Sequence, residues 1–382
     1  MRRIKIYGAG SIGNHFAHAS RTMGWEVTVC DVSPAALERM KQQIFPSRYE
    51  RWDESIRLYL NQDAPAGGFD YIFIGTPPEF HLPLALQALE ENPTAVIVEK
   101  PVCPPSLAHA QELWESSQER GTRVYVGYDH VVGKATQKAE ELISSGELGE
   151  IQTLDVEFRE HWGGIFAAHP WLDGPADSYL GFWEKGGGAS GEHSHAINLW
   201  QHFAHHVGAG RVLEVDARLR YVNEGPAYYD DLCLLNLRTE QGLVGRVVQD
   251  VVTKPHRKRA RIQGTEGAIE WICNYNPEGD AVRLLRPGKP DEILPFPKRR
   301  PDDFIRELEH IETDLRTPGG DSGIGLERGL DTMLVVAAAH RSEQEGRRIR
   351  LEYEQGYTLD ALGPAQGRAE REYPTVRSAS ER

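Results

Sequence analysis

At 382 residues, with 40% hydrophobic and 9% aromatic side chains, the chain is long enough for two domains of ordinary size. Its formal net charge of −14 argues against a nucleic-acid partner, because gripping that backbone takes a positive face. The four cysteines, Cys30, Cys103, Cys233 and Cys273, lie far apart in no metal-ligand or redox spacing, which argues against a disulfide framework and fits a reducing compartment.

No apolar leader precedes Ile4, and no apolar run reaches membrane-spanning length. A cytoplasmic protein with no membrane partner is therefore expected. Ile4 to Tyr7 reads as a short strand ending at Gly8, followed by a helix with Ile12, Phe16, Ala19 and Met23 on one face. Val27 to Cys30 is the next strand, and Ser33 caps a helix that has Pro34 at its first position. Residues 44–68 carry no clear pattern. Tyr71–Ile74 and Ala95–Val98 are buried strands separated by a helix through Leu82, Ala85, Leu86 and Leu89. Ser106 is the expected cap of a helix with Leu107, Ala110, Leu113 and Trp114 inward, and Val124–Val126 closes this half. Strands that are apolar throughout and alternate with helices mean a parallel sheet covered on both faces.

The pattern changes after residue 150. Leu154, Val156 and Phe158, and later Val215, Ala217, Leu219 and Tyr221, alternate with polar neighbours. Further strands are expected over 231–238, 243–252, 258–264 and 268–272. Period-two strands without intervening helices make a largely antiparallel sheet with one wet face. Two helices, through Phe304 to Leu315 and through Leu330 to Ala338, are expected to close this second domain. The fold class is α/β: an N-terminal Rossmann doubly wound parallel sheet (1–127), then an α/β domain on a large, mostly antiparallel sheet (128–355). Residues 361–382 read as a mobile polar tail.

Gly8-Ala9-Gly10-Ser11-Ile12-Gly13 fits G-x-G-x-x-G between a strand and a helix. Gly8 makes the tight turn, Gly10 lets backbone approach a pyrophosphate, and Gly13 packs helix on strand. Ser11 and Ile12 open the helix whose N-terminus faces that anion. Asp31 ends the second strand eighteen residues past Gly13, where a carboxylate accepts both ribose hydroxyls and repels a 2′-phosphate. NAD is thus favoured over NADP. The same Asp31 also suits a plain helix-flanking cap.

Glu99-Lys100-Pro101 follows a buried strand, and ligands of such sheets bind beyond the strands' carboxyl ends. Burial is expected to lower the Lys100 pKa, giving a proton donor or relay. In Gly186 to His195, one helix through the cluster would put Glu192 and His195 three apart on one face, a carboxylate orienting an imidazole base, with His193 pointing elsewhere. Satisfied surface histidines fit the same spacing. His202 and His206 stand four apart, but no third ligand is dictated and no metal is expected. The basic run Lys254–Arg261 suits the wet face of a strand or a phosphate contact. The aromatic segment 159–185 suits sugar stacking or packing of a long loop.

With these landmarks in this order, together with GTPPEFH at 75–81, VGYDH at 126–130, LISSGELGEI at 142–151 and GTEG at 264–267, the chain resembles the Gfo/Idh/MocA oxidoreductases from residue 3 to about 355. The resemblance implies a Rossmann domain, a second domain whose open sheet forms the interface of a homodimer or homotetramer, and reversible hydride transfer at a carbinol carbon of a sugar, sugar nucleotide or cyclitol. It assigns Lys100 and His195 to catalysis, Glu192 to the acidic position before the histidine, and Thr76, Pro77 and Glu99 to the cofactor's border. Tyr128, Asp129, His130, Trp183 and Asn198 are candidate substrate contacts. The motif departs from the common pattern: Glu-x-Ser-His replaces its usual spacing, VGY is followed by Asp rather than Asn, and Asn198 stands where the matching branch has Asp. Two alternatives stay open: an NAD-dependent glycosidase that oxidises a ring carbon transiently, and an idle cofactor-sensing protein.

Overall fold

A computed structural model describes residues 1–167, 169–317 and 319–365. In the first half, β1 (Arg3–Tyr7), β2 (Glu26–Asp31), β3 (Arg57–Leu60), β4 (Tyr71–Ile74), β5 (Ala95–Val98) and β6 (Arg123–Val126) form one parallel sheet in the order β3-β2-β1-β4-β5-β6. That order reverses between β1 and β4, which opens a crevice beyond the strands' carboxyl ends. The central strands β4 and β5 are apolar throughout because helices cover both faces: α1 (Ser11–Thr22), α2 (Pro34–Arg39), α3 (Phe45–Tyr49), α4 (His81–Glu90) and α5 (Ala110–Arg120). Ser33 caps α2, its side chain accepting from the Ala36 N–H at 3.3 Å. The unread stretch 44–68 holds α3 and the edge strand β3, four residues whose burial is only partial, so no apolar run marks it. The helix expected to be capped by Ser106 begins at Ala110, because Leu107 and His109 take left-handed φ of 56° and 65°.

The second half holds β7 (Ile151–Arg159), β8 (Val212–Glu224), β9 (Ala227–Thr239), β10 (Val244–Asp250), β11 (Arg257–Gly264), β12 (Ala268–Asn276), β13 (Gly279–Leu285), β14 (Glu292–Pro297) and β15 (Ile349–Arg350) in one sheet ordered β14-β13-β12-β11-β7-β10-β9-β8-β15. All neighbours are antiparallel except β7 and β10. Helices α6 (Lys134–Ser144), α9 (His195–His206) and α11 (Leu326–Glu345) pack on this sheet, and two short helices, α7 (Trp162–Ala167) and α8 (Gly188–Glu192), lie beside its carboxyl-terminal corner. Arginines of the basic run sit on the wet face against glutamates, Arg257 with Glu157 and Arg261 with Glu270, as alternation requires.

One expectation fails in an informative way. The helix through Phe304 to Leu315, α10 (Arg300–Asp314), packs on α1 of the first domain rather than closing the second. Glu312 accepts from Arg2 Nε at 3.0 Å and pairs with the Tyr71 hydroxyl, and Asp314 accepts from Tyr125 Oη at 2.7 Å and binds Arg123. Buried residues of both sheets are joined in one large apolar cluster. Of the expected tail, Ala361 and Leu362 are buried in a 3-10 turn, and residues 366–382 lie outside the described residues. All four cysteines are buried and unpaired. No helix among the described residues is long and apolar enough to cross a membrane.

Replacing Asp314 with Ala strands a buried tyrosine hydroxyl and unpairs Arg123. We expect a loss of about 1–3 kcal/mol in urea unfolding, with the far-ultraviolet spectrum unchanged. A loss below about 0.5 kcal/mol would show that α10 is held by its apolar face alone.

Candidate active site

The turn after β1 is built by close backbone approach. Gly8 takes φ +103°, and a Cβ there would stand 2.5 Å from the Gly75 carbonyl; a Cβ on Gly13 would stand 1.9 Å from the Gly8 carbonyl. Neither position admits a side chain. Gly10 differs, since nothing lies within 4 Å of its would-be Cβ. That open space faces the uncapped start of α1, whose first N–H groups have no side-chain partner. The arrangement fits a pyrophosphate on the helix N-terminus. Asp31 accepts from the Ala9 N–H at 2.8 Å and the Ser33 N–H at 2.8 Å, so its carboxylate is fixed at the lip of the turn.

A cleft of about 1010 Å³ runs from this turn to the second sheet. Ser11, Ile12, Glu99, Lys100, Asp129, His130, Glu192 and His195 all line it. Gly8, Gly10, Gly13, Asp31, Thr76 and Pro77 border the turn outside that lining, and the Thr76 carbonyl accepts from His81 Nε2 at 2.6 Å. Three candidate substrate contacts lie off the cleft. Tyr128 is fully buried, edge-on to His195 at 5.4 Å between ring centroids. Trp183 stacks on His340 at 4.3 Å. Asn198 is buried with its Nδ2 donating to Thr332 Oγ1 on α11 at 3.2 Å. Helical spacing aims Asn198 at α11 rather than at the site.

Lys100 extends from the end of β5, and its Nζ donates to Glu192 Oε2 at 3.1 Å and to the Glu192 carbonyl at 3.0 Å. The expected pairing of Glu192 with His195 does not occur. The helix is interrupted at His193 and Ser194, so Glu192 ends α8 while His195 begins α9. The carboxylate facing His195 is instead Asp129, with Oδ1 3.8 Å from Nδ1. His193, expected to point away, lines the cleft with its buried Nε2 unpartnered.

The glycine run is the reason α8 can sit there. A Cβ on Gly187 would stand 2.1 Å from the Tyr179 carbonyl, on Gly188 2.0 Å from Asp230 Oδ1, and on Gly191 2.0 Å from the Gly186 carbonyl. Asp230 accepts from the Ser190 N–H at 2.8 Å and from Ser190 Oγ at 3.0 Å, and Gln249 Nε2 donates to the His193 carbonyl at 2.6 Å. The turn carrying Glu192 and His193 is therefore clamped from beneath.

Electrostatics assign states to these groups. Burial acts to lower the Lys100 pKa, but the Glu192 and Glu99 carboxylates outweigh it and leave the ammonium raised, the reverse of the sequence expectation. Burial raises Glu192, and Lys100 more than offsets it, so Glu192 is ionised. Burial pushes the Glu99 carboxyl up to about 8, which makes it largely protonated at neutral pH. Burial, then the charges of neighbours, holds His195 well below the usual imidazole range, and burial holds His130 near 4. Asp129 stays below the ordinary carboxylate range: burial raises it, and His130, then Arg300, Lys298 and Lys100, lower it more.

Several lining residues had little sequence signal. Lys258 comes from the basic run and pairs with Glu160 at 2.7 Å over the Phe158 ring. Arg48 comes from the unread stretch and donates to the Ser11 carbonyl at 2.8 Å. Among the described residues of the aromatic segment, those that line the cleft lie between Glu160 and Trp171, Ile165 and Trp171 among them; Leu180 packs in a small separate core with Trp162 and Tyr229. Among the other histidines, His202 binds Glu140, His205 Asp321, and His206 Ser144.

Asp230 offers a pH test. Burial raises its carboxyl to about 8 against about 3.9 unfolded. An acid raised on folding contributes stability that is full below the unfolded value and is lost as pH rises toward 8. Asp230→Asn should therefore gain melting temperature relative to wild type between pH 5 and pH 8; an unchanged difference would show that Asp230 is ionised in the fold.

Comparison with known proteins agrees with this architecture. Residues 2–128 match the model of the oxidoreductase family with the NAD-binding Rossmann fold, and residues 136–270 match the GFO/IDH/MocA C-terminal domain. A search of curated proteins found no match. Similar solved structures include levoglucosan dehydrogenase with NADH and levoglucosan (17% identity, TM-score 0.74, covering 91% of this chain and 99% of that one). The WlbA dehydrogenase from Bordetella pertussis with NADH and UDP-GlcNAcA matches at 21% identity and TM-score 0.66, covering 92% and 98%. Aldose-aldose oxidoreductase from Caulobacter crescentus with glycerol matches at 20% identity and TM-score 0.70, covering 92% and 99%. With two family models spanning most of its length and a Rossmann turn open at Gly10, the chain belongs to the Gfo/Idh/MocA family of NAD-binding oxidoreductases.

Proposed function

We propose that the protein transfers a hydride between NAD and a carbinol carbon of a sugar, sugar nucleotide or cyclitol. The observation that carries this reading is the meeting, in one cleft, of an ammonium from the first domain and a neutral imidazole from the second. Bound NAD would supply the hydride acceptor, with Gly10, Ser11, Ile12 and Asp31 holding its phosphates and ribose.

The residues then divide the work. A neutral His195 accepts the hydroxyl proton, and Asp129, facing its Nδ1, stabilises the imidazolium that forms. Lys100 stays charged and stabilises the developing alkoxide as a fixed cation rather than as a proton relay. Glu192 is a positioning residue: it holds the Lys100 ammonium in place. Glu160 and Lys258 form a neutral pair at the far wall, suited to sugar hydroxyls that both donate and accept. The substrate chemistry of the similar solved structures agrees with this choice, since those proteins are complexed with levoglucosan, UDP-GlcNAcA and glycerol.

Lys100→Met should lower turnover by about 10²–10³-fold while binding of NADH, read by its nicotinamide fluorescence, is kept. Unchanged turnover would remove Lys100 from the chemistry, and sugar release without change in nicotinamide absorbance would favour the glycosidase alternative. Asp31→Ala should narrow the preference for NAD over NADP; a wild-type protein that binds NADP more tightly would show that Asp31 is only a cap.

A further inference from the structure

Asp129, His130 and His195 each present a ligand atom to the cleft, and the three atoms lie within 4.8 Å of one another. Asp129 Oδ1 and His195 Nδ1 stand 3.8 Å apart. A tetrahedral ion with bonds of about 2.1 Å needs ligand atoms about 3.4 Å apart, which small side-chain rotations supply.

Two independent observations show that this cluster lacks a partner. The Asp129 side chain is 9% exposed and makes no hydrogen bond among the described residues. The His195 Nδ1 atom is buried and also has none. A buried ring nitrogen left without a hydrogen bond, 3.8 Å from a carboxylate oxygen, is costly as it stands. The ammonium groups nearby are each paired with another acid as well: Lys100 with Glu192, Lys258 with Glu160, and Lys298 with Asp280 and Asp303.

We propose that Asp129, His130 and His195 form a binding site for one divalent transition-metal ion of the zinc class. Two imidazoles and a carboxylate are the donor set such ions take. Three protein ligands leave a further position open toward the cleft. The site shares His195 and Asp129 with the hydride-transfer reading, so ion binding removes the proton acceptor and inhibits turnover. That consequence rests on the proposed function; the binding itself does not.

The test uses the full chain, stripped with a chelator and free of cofactor and substrate, titrated with Co²⁺ and followed by its visible absorption. Support is one ion bound per chain in a site of low coordination number. Outer-sphere changes cost metal sites about 10–100-fold, so His130→Gln and Asp129→Asn, which keep side-chain size, should each weaken binding at least 10-fold. His205→Ala, which disrupts a surface pair with Asp321, should leave it unchanged. No saturable band, or a band kept in both cleft variants with unaltered melting temperatures, overturns the proposal. Failure of sugar oxidation would leave this result readable, because no turnover is measured.

Discussion

The site depends on one contact across two domains: the ammonium of Lys100, at the end of a strand of the first sheet, held by the carboxylate and carbonyl of Glu192 at the end of a helix in the second half. The pair is mostly buried, with side-chain exposures of 12% and 18%. Burial alone would drive each partner toward its neutral form, and their mutual attraction, the largest of several opposing charge effects, keeps both charged. Such a pair adds little net stability and a great deal of placement. It fixes where a positive charge stands relative to His195, which a flexible lysine in water could not do.

What holds the pair in register is backbone. The run Gly186 to Gly191 contains three positions where a methyl group would overlap a carbonyl or the Asp230 carboxylate at about 2 Å. The turn also hangs on Asp230 and Gln249 from the sheet below. On the other side, α10 returns from the second half of the sequence to pack on α1. The two sheets thus share one apolar cluster, and the cleft walls move little relative to each other without disturbing it.

Much of the first domain was legible in sequence because its strands are short apolar runs bounded by turn signals; Tyr71–Ile74 and Ala95–Val98 were placed to the residue. The edge strand Arg57–Leu60 was not, since an edge needs no fully buried face. In the second domain, period-two alternation located the strands from 151 to 276, while β13 and β14 and the destination of α10 were missed, tertiary packing being invisible to a local pattern. At the site, motif order gathered Lys100, Glu192 and His195, but helical spacing paired the wrong carboxylate with the imidazole. A two-residue break at His193 and Ser194 turned Glu192 toward Lys100 and left Asp129 facing His195. Arg48 reaches the cleft from a segment that carried no clear pattern, and Lys258 from a basic run whose charges did not show which of them turns inward.

The division of labour between the two carboxylates is the central claim, and a double-substitution cycle tests it directly. If Glu192 acts only through Lys100, Glu192→Gln lowers turnover, but the double variant Glu192→Gln/Lys100→Met is no slower than Lys100→Met alone. Fully multiplicative losses would place Glu192 on the substrate or on His195 independently and contradict the account.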